Sequence, residues 1–130
     1  MIYKKERFPP TSAEKKENRL RGDESFSNYC SSVFGRNLPE YEGRKLDFNS
    51  MILLNCKNVE PHKDPYVVNS ARKEPKKRAA IFWLTEGELH IQCGDFCEKM
   101  KSGDYIVFDD SIMHCVVADK KWRGAAAQYI

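Results

Sequence analysis

The stretch EPHKDPY, residues 60–66, sets a histidine and an aspartate two positions apart with a lysine between them. In extended chain, alternate side chains share a face, so His62 and Asp64 can turn an imidazole and a carboxylate toward one point while Lys63 turns away. Oxygen-activating iron(II) centres use two histidines and one carboxylate on one face of an octahedron, leaving the other positions open for substrate and dioxygen. On that chemistry the missing donor is a histidine, and only His90 and His114 remain. In SIMHCVVA (111–118), His114 shares a strand face with Ile112 and Val116, a mostly apolar setting in which a neutral imidazole needs a partner. His114 is therefore the better candidate. The plainer alternatives are a charged turn at 62–64 and a core histidine bonded to backbone at 114.

Further along, Arg123 stands in WRGAAAQYI (122–130). A guanidinium turned into a β domain is costly unless an anion meets it, and its forked geometry matches a carboxylate. Ala125, Ala127 and Tyr129 share its face, and the two alanines leave room for a small acid. The alternative is an outward Arg123 paired with Asp119 or with solvent. A basic run, Arg72, Lys73, Lys76, Lys77 and Arg78, follows the His62 motif closely and is expected either as a solvated loop or as a lip that contacts a polyanion.

These residues need a scaffold. A chain of 130 residues fits one domain, and 41% apolar with 32% charged residues suits a globular protein better than a disordered chain. The net charge of +3 does not by itself argue for nucleic acid. No apolar run approaches the ~20 residues of a membrane span and MIYKKERFPP lacks the apolar core of a signal peptide, so a cytoplasmic location is expected. The five cysteines, Cys30, Cys56, Cys93, Cys97 and Cys115, form no CxxC pair and read as thiols; zinc on Cys93 and Cys97 is a weak alternative.

Residues 1–24 are polar, carry Pro9-Pro10, and are expected as an arm outside a single domain spanning 25–130. A short helix is expected over 25–34, capped by Ser25 and ended by Gly35. From Leu46 onward, short apolar or alternating runs punctuated by turn residues predict strands at 46–56, 78–85, 88–93, 95–100, 104–109, 111–118 and 122–130, with turns at Cys93-Gly94-Asp95 and Ser102-Gly103. Trp83, Trp122, Phe82 and Phe108 are expected in the core or its rim. The fold class is mainly all-β, a small jelly roll or barrel behind a short helical or irregular segment.

Taken in order, His62-x-Asp64, the basic segment with RAAIFWLTEGEL, the GDYIVF strand leading to His114, and Arg123 in the terminal strand resemble the iron(II)- and 2-oxoglutarate-dependent oxygenases, over about residues 50–130. The resemblance implies a double-stranded β-helix core. It implies that His62, Asp64 and His114 hold Fe(II), that Arg123 binds the distal carboxylate of 2-oxoglutarate, and that dioxygen is the co-reactant in hydroxylating a C–H bond. Ala125 stands where that family often carries serine or threonine. GDYIVFDDSIMH also has the spacing of the second cupin motif, with Asp109 and Ser111 replacing its proline and second glycine, and on a cupin reading His90 becomes a possible ligand. A domain of that fold without catalysis, binding a protein or nucleic acid through its basic loop, is the alternative function.

Overall fold

The computed structural model describes residues 1–8, 23–37, 41–67 and 73–130. Among these residues, nine strands and one helix follow in chain order: β1 (Ile2–Arg7), α1 (Asp23–Asn37), β2 (Leu46–Cys56), β3 (Val59–His62), β4 (Ala80–Glu86), β5 (Glu88–Cys93), β6 (Phe96–Lys101), β7 (Asp104–Phe108), β8 (His114–Val117) and β9 (Trp122–Tyr129). The punctuation residues do what the sequence requires of them. Gly94 (φ 56°) and Gly103 (φ 96°) occupy the left-handed region at the β5–β6 and β6–β7 turns, where a side chain is disfavoured.

All strand pairs are antiparallel, in a five-stranded sheet ordered β1-β7-β4-β9-β2 and a four-stranded sheet ordered β3-β8-β5-β6. Two sheets crossed by such non-sequential connections make a double-stranded β-helix, or jelly roll, as the strand pattern predicts. Strand alternation divides the apolar residues into two cores. Between the sheets, Phe82, Leu84, Ile106, Phe108 and Trp122 meet Leu89, Ile91, Cys93, Met100 and Val116. On the outer face of the larger sheet, Ile81, Trp83, Val107, Ala125, Ala127 and Tyr129 meet Phe26, Tyr29, Cys30, Val33 and Phe34 of α1.

Three expectations need correction. Ile2–Arg7, expected within a polar arm, is an edge strand: Phe108 to Asp104 of β7 pair with it along their length, so backbone pairing compensates for its polar side chains. The remainder of the expected arm, including Pro9-Pro10, lies outside the described residues. The helix runs from Asp23 to Asn37, so Ser25 is inside it and Gly35 does not end it; the Asn37 side-chain amide instead donates to the carbonyl of Val33 in the last turn (2.8 Å). Finally, β3 was not expected at all. Pro61 falls within it, which a strand tolerates only at a sheet edge, and β3 is the edge of its sheet.

Candidate metal centre

The register of β3 on β8 places His62 directly opposite His114, with ring centroids 4.3 Å apart. Beyond the strand end, Asp64 precedes Pro65, and a residue before proline is held extended. The Asp64 carboxylate then bridges the two rings, with Oδ1 at 3.0 Å from His62 Nε2 and Oδ2 at 3.3 Å from His114 Nε2. One donor atom from each of the three residues lies within 4.8 Å of the others, and this is the one such group of three among the described residues.

Each imidazole is also fixed from behind. His62 Nδ1 lies 2.8 Å from the carbonyl oxygen of Glu60, and His114 Nδ1 lies 2.7 Å from that of Ile112. A carbonyl only accepts, so each Nδ1 carries a proton and each Nε2 is aimed at the shared point, where it donates to the carboxylate when protonated and offers a lone pair to a cation when not; metal-bound histidines are oriented in the same way. Phe108 meets the His114 ring edge-on at 5.1 Å and closes its inner side.

The charges are mutually adjusted. Burial alone would raise the Asp64 carboxyl, but the hydrogen bond from His114 and the charges of both imidazoles outweigh it and lower its pKa. Burial alone would lower His114, yet the bond to Asp64, the Ile112 carbonyl and the nearby carboxylates raise it. These donors fit a divalent cation: two oriented imidazole nitrogens and one carboxylate on one side, with the carboxylate held ionised. They equally fit an ion pair when no metal is bound.

The other candidates separate from this group. Arg123 lies on the face of β9 that carries Ala125, Ala127 and Tyr129, as its spacing implies, but that face is the outer one, covered by α1. Its guanidinium carbon sits 3.9 Å from the centre of the Phe26 ring. The inner face of β9 belongs to Trp122, Ala126 and Gln128, so Arg123 is not placed to meet an acid bound at the three ligands. We expect Arg123→Met to lower folding stability by ~0.5–2 kcal/mol through the lost cation–π contact and to leave manganese(II) affinity within about twofold, measured by urea unfolding and metal titration. Unchanged stability with lost metal binding would instead place the guanidinium inside.

His90 faces outward from β5 and is exposed, apart from the cluster. The basic run does not form one lip. Arg78 is 7% exposed and ion-paired with Asp110 (3.1 Å) and Glu74 (3.0 Å). Lys77 is bonded to Glu42 (2.8 Å) and lies over the rings of Tyr3 and Tyr41. Lys73 and Lys76 remain at the surface, and Arg72 lies outside the described residues. All five cysteines are free thiols.

Two residues beside this group, Asp110 and Gln128, were not singled out from sequence, and Arg78 was singled out only as part of the basic run. Arg78, Asp110 and Gln128 form a buried polar cluster against the segment that carries Asp64. A signal existed: Gln128 is the lone polar residue in the run AAAQYI, and Asp110 belongs to an acidic pair just ahead of the His114 strand. Next to Asp64 opens a hollow of about 190 Å³, walled chiefly by Ile52, Val67, Ala80, Phe108 and Ala126, with no lysine or arginine among its described lining residues.

The sequence matches no protein family and no curated relative. Solved structures resemble it in shape. A cupin-2 domain protein from Shewanella frigidimarina is 12% identical with a TM-score of 0.48, the alignment covering 77% of this chain and 92% of that one. An RmlC-like cupin protein from Desulfovibrio desulfuricans is 17% identical with a TM-score of 0.46, covering 69% and 74%. Protein NMB1881 from Neisseria meningitidis is 11% identical with a TM-score of 0.48, covering 75% and 96%. At such identities nothing of these proteins' activity carries over to this chain. Among the described residues no helix is long and apolar enough to cross a membrane.

Proposed function

We propose that this jelly roll is a mononuclear iron(II) enzyme that activates dioxygen, with His62, Asp64 and His114 as the metal ligands. The observation that supports this best is the orientation of the two imidazoles, each tethered through Nδ1 so that Nε2 converges with the Asp64 carboxylate. When bound, iron(II) would supply open positions for dioxygen and substrate and the redox chemistry of oxygen insertion. The chain's own task is to hold the three donors on one side, with Phe108 packed edge-on against the His114 ring. The hollow beside Asp64 is where substrate would approach.

The order of motifs along the chain supports 2-oxoglutarate as cosubstrate. The position of Arg123 does not, and the described residues of the hollow offer no cation to a dianionic acid. The second reading, an oxygenase that acts on its substrate without 2-oxoglutarate, is favoured by that observation. An anaerobic titration with iron(II) or manganese(II) should show one ion per chain. Succinate release on adding dioxygen and 2-oxoglutarate, together with a rise in melting temperature on adding N-oxalylglycine, would support the first reading. Metal binding with neither response supports the second. Failure to bind either metal would sink both.

A further inference from the structure

We infer that Gln128 is a positioning residue for the metal centre, clamping the segment 64–67 through Asp110 and Arg78 so that Asp64 is presented to both histidines. The inference rests on the metal-site reading above and adds to it a part of the chain that supplies no ligand.

The geometry accounts for every polar group on the Gln128 side chain. Its Oε1 accepts from the Val67 amide (2.9 Å), while Nε2 donates to the Pro65 carbonyl (2.9 Å) and to Asp110 Oδ2 (2.8 Å). One acceptor and two donors are thus used in the single orientation that satisfies all three. Asp110 holds the other side of the segment: its backbone carbonyl accepts from the Asp64 amide (2.9 Å), and its second carboxylate oxygen faces Arg78 (3.1 Å). Arg78 returns to the same place, donating from Nη2 to the Asp64 carbonyl (3.0 Å). Asp64 is therefore gripped at both its amide and its carbonyl, and Pro65 and Val67 are gripped beyond it.

Asp110 is fully buried and Arg78 and Gln128 nearly so, which makes these bonds costly to break and their geometry well defined. The segment they hold has no strand partner of its own, because β3 ends at His62. Without the clamp, nothing else described in this region fixes the backbone of Asp64. A ligand on a loosely held loop loses affinity for metal even when its own side chain is intact, and supporting hydrogen bonds of this kind typically matter by ~10–100-fold.

The test uses Gln128→Leu, which keeps similar bulk and removes all three bonds. In the metal-free protein, amide hydrogen exchange at Asp64 and Val67 should quicken at least tenfold relative to amides in β5. With manganese(II), affinity should fall by ~10–100-fold, and the electron paramagnetic resonance spectrum of the bound ion should broaden or shift. A core variant of matched thermal destabilisation, Leu89→Ala, controls for stability alone and should leave manganese affinity within about twofold. Equal affinity losses in the two variants, or unchanged exchange at Asp64 and Val67, would overturn the clamp. A parent protein that binds no manganese sinks the metal reading and with it the role assigned to Gln128, whatever the exchange data show of the loop.

Discussion

His114→Ala is expected to weaken iron(II) and manganese(II) binding by more than the ~100-fold that marks the upper range for a lost supporting hydrogen bond, because it removes a ligand itself. The remaining pair, His62 and Asp64, is half-exposed and held by one tethered ring. Isothermal titration reads the effect; a His114→Ala protein that binds as tightly as the parent would refute the triad. The substitution also removes an ion pair from the metal-free protein. His114 is raised by its environment, so its contribution is present below the ordinary histidine value and is lost as pH rises through the higher folded value. Asp64 is lowered, so its contribution is present above the ordinary aspartate value and is lost as pH falls through the depressed one. The stability difference between parent and variant should therefore be larger at mildly acidic than at alkaline pH.

Arg78→Met should be the most destabilising of these changes, at ~3–5 kcal/mol in urea unfolding, since it strands a buried carboxylate. The two partners do not gain equally. Burial opposes the Arg78 charge, but Asp110 and Glu74 overcome this and raise it; at Asp110 burial prevails over Gln128 and Arg78 and the carboxyl is raised. Asp110 is thus already the strained member of the pair, and removing Arg78 leaves it with Gln128 alone. The double variant Arg78→Met/Asp110→Leu should recover part of the loss, because a well-packed apolar pair replaces a buried ionic one at little cost. A double variant less stable than Arg78→Met would show that Asp110 contributes mainly through its bonds to Gln128.

Where alternation and turn chemistry agreed, the strands were legible from sequence: β2 and β5 lie where the runs predict them, and Gly94 and Gly103 mark the β5–β6 and β6–β7 turns. β1 escaped because IYKKER has no apolar face and is held by backbone bonds to β7, a partner distant in sequence. The proximity of His62 and Asp64 was legible because their spacing is local. His114 was legible because few histidines compete with it. Arg123 shows the limit. Its strand face was read correctly, with Ala125, Ala127 and Tyr129, but both faces of β9 are buried, one against the opposing sheet and one against α1. With no polar face to mark the outside, alternation cannot say which side is which. Arg78 misled for a related reason: a charge run suggests solvent, and its buried partner Asp110 lies far along the chain.

The strand order has a consequence for how the protein is made. β9 lies between β4 and β2, and β2 has no other neighbour; likewise β1 waits for β7, and β3 for β8. Only the β5–β6 hairpin can close from adjacent sequence at an early stage. On the ribosome, the first four strands emerge without any partner and stay unpaired until residues beyond Asp104 follow them out. Such non-local pairing slows folding and leaves strand edges open to other chains meanwhile. A nascent chain halted before β7 is thus a set of exposed edges with one hairpin, and the cluster of His62, Asp64 and His114, split between β8 and the chain in and just after β3, comes together only near the end of synthesis.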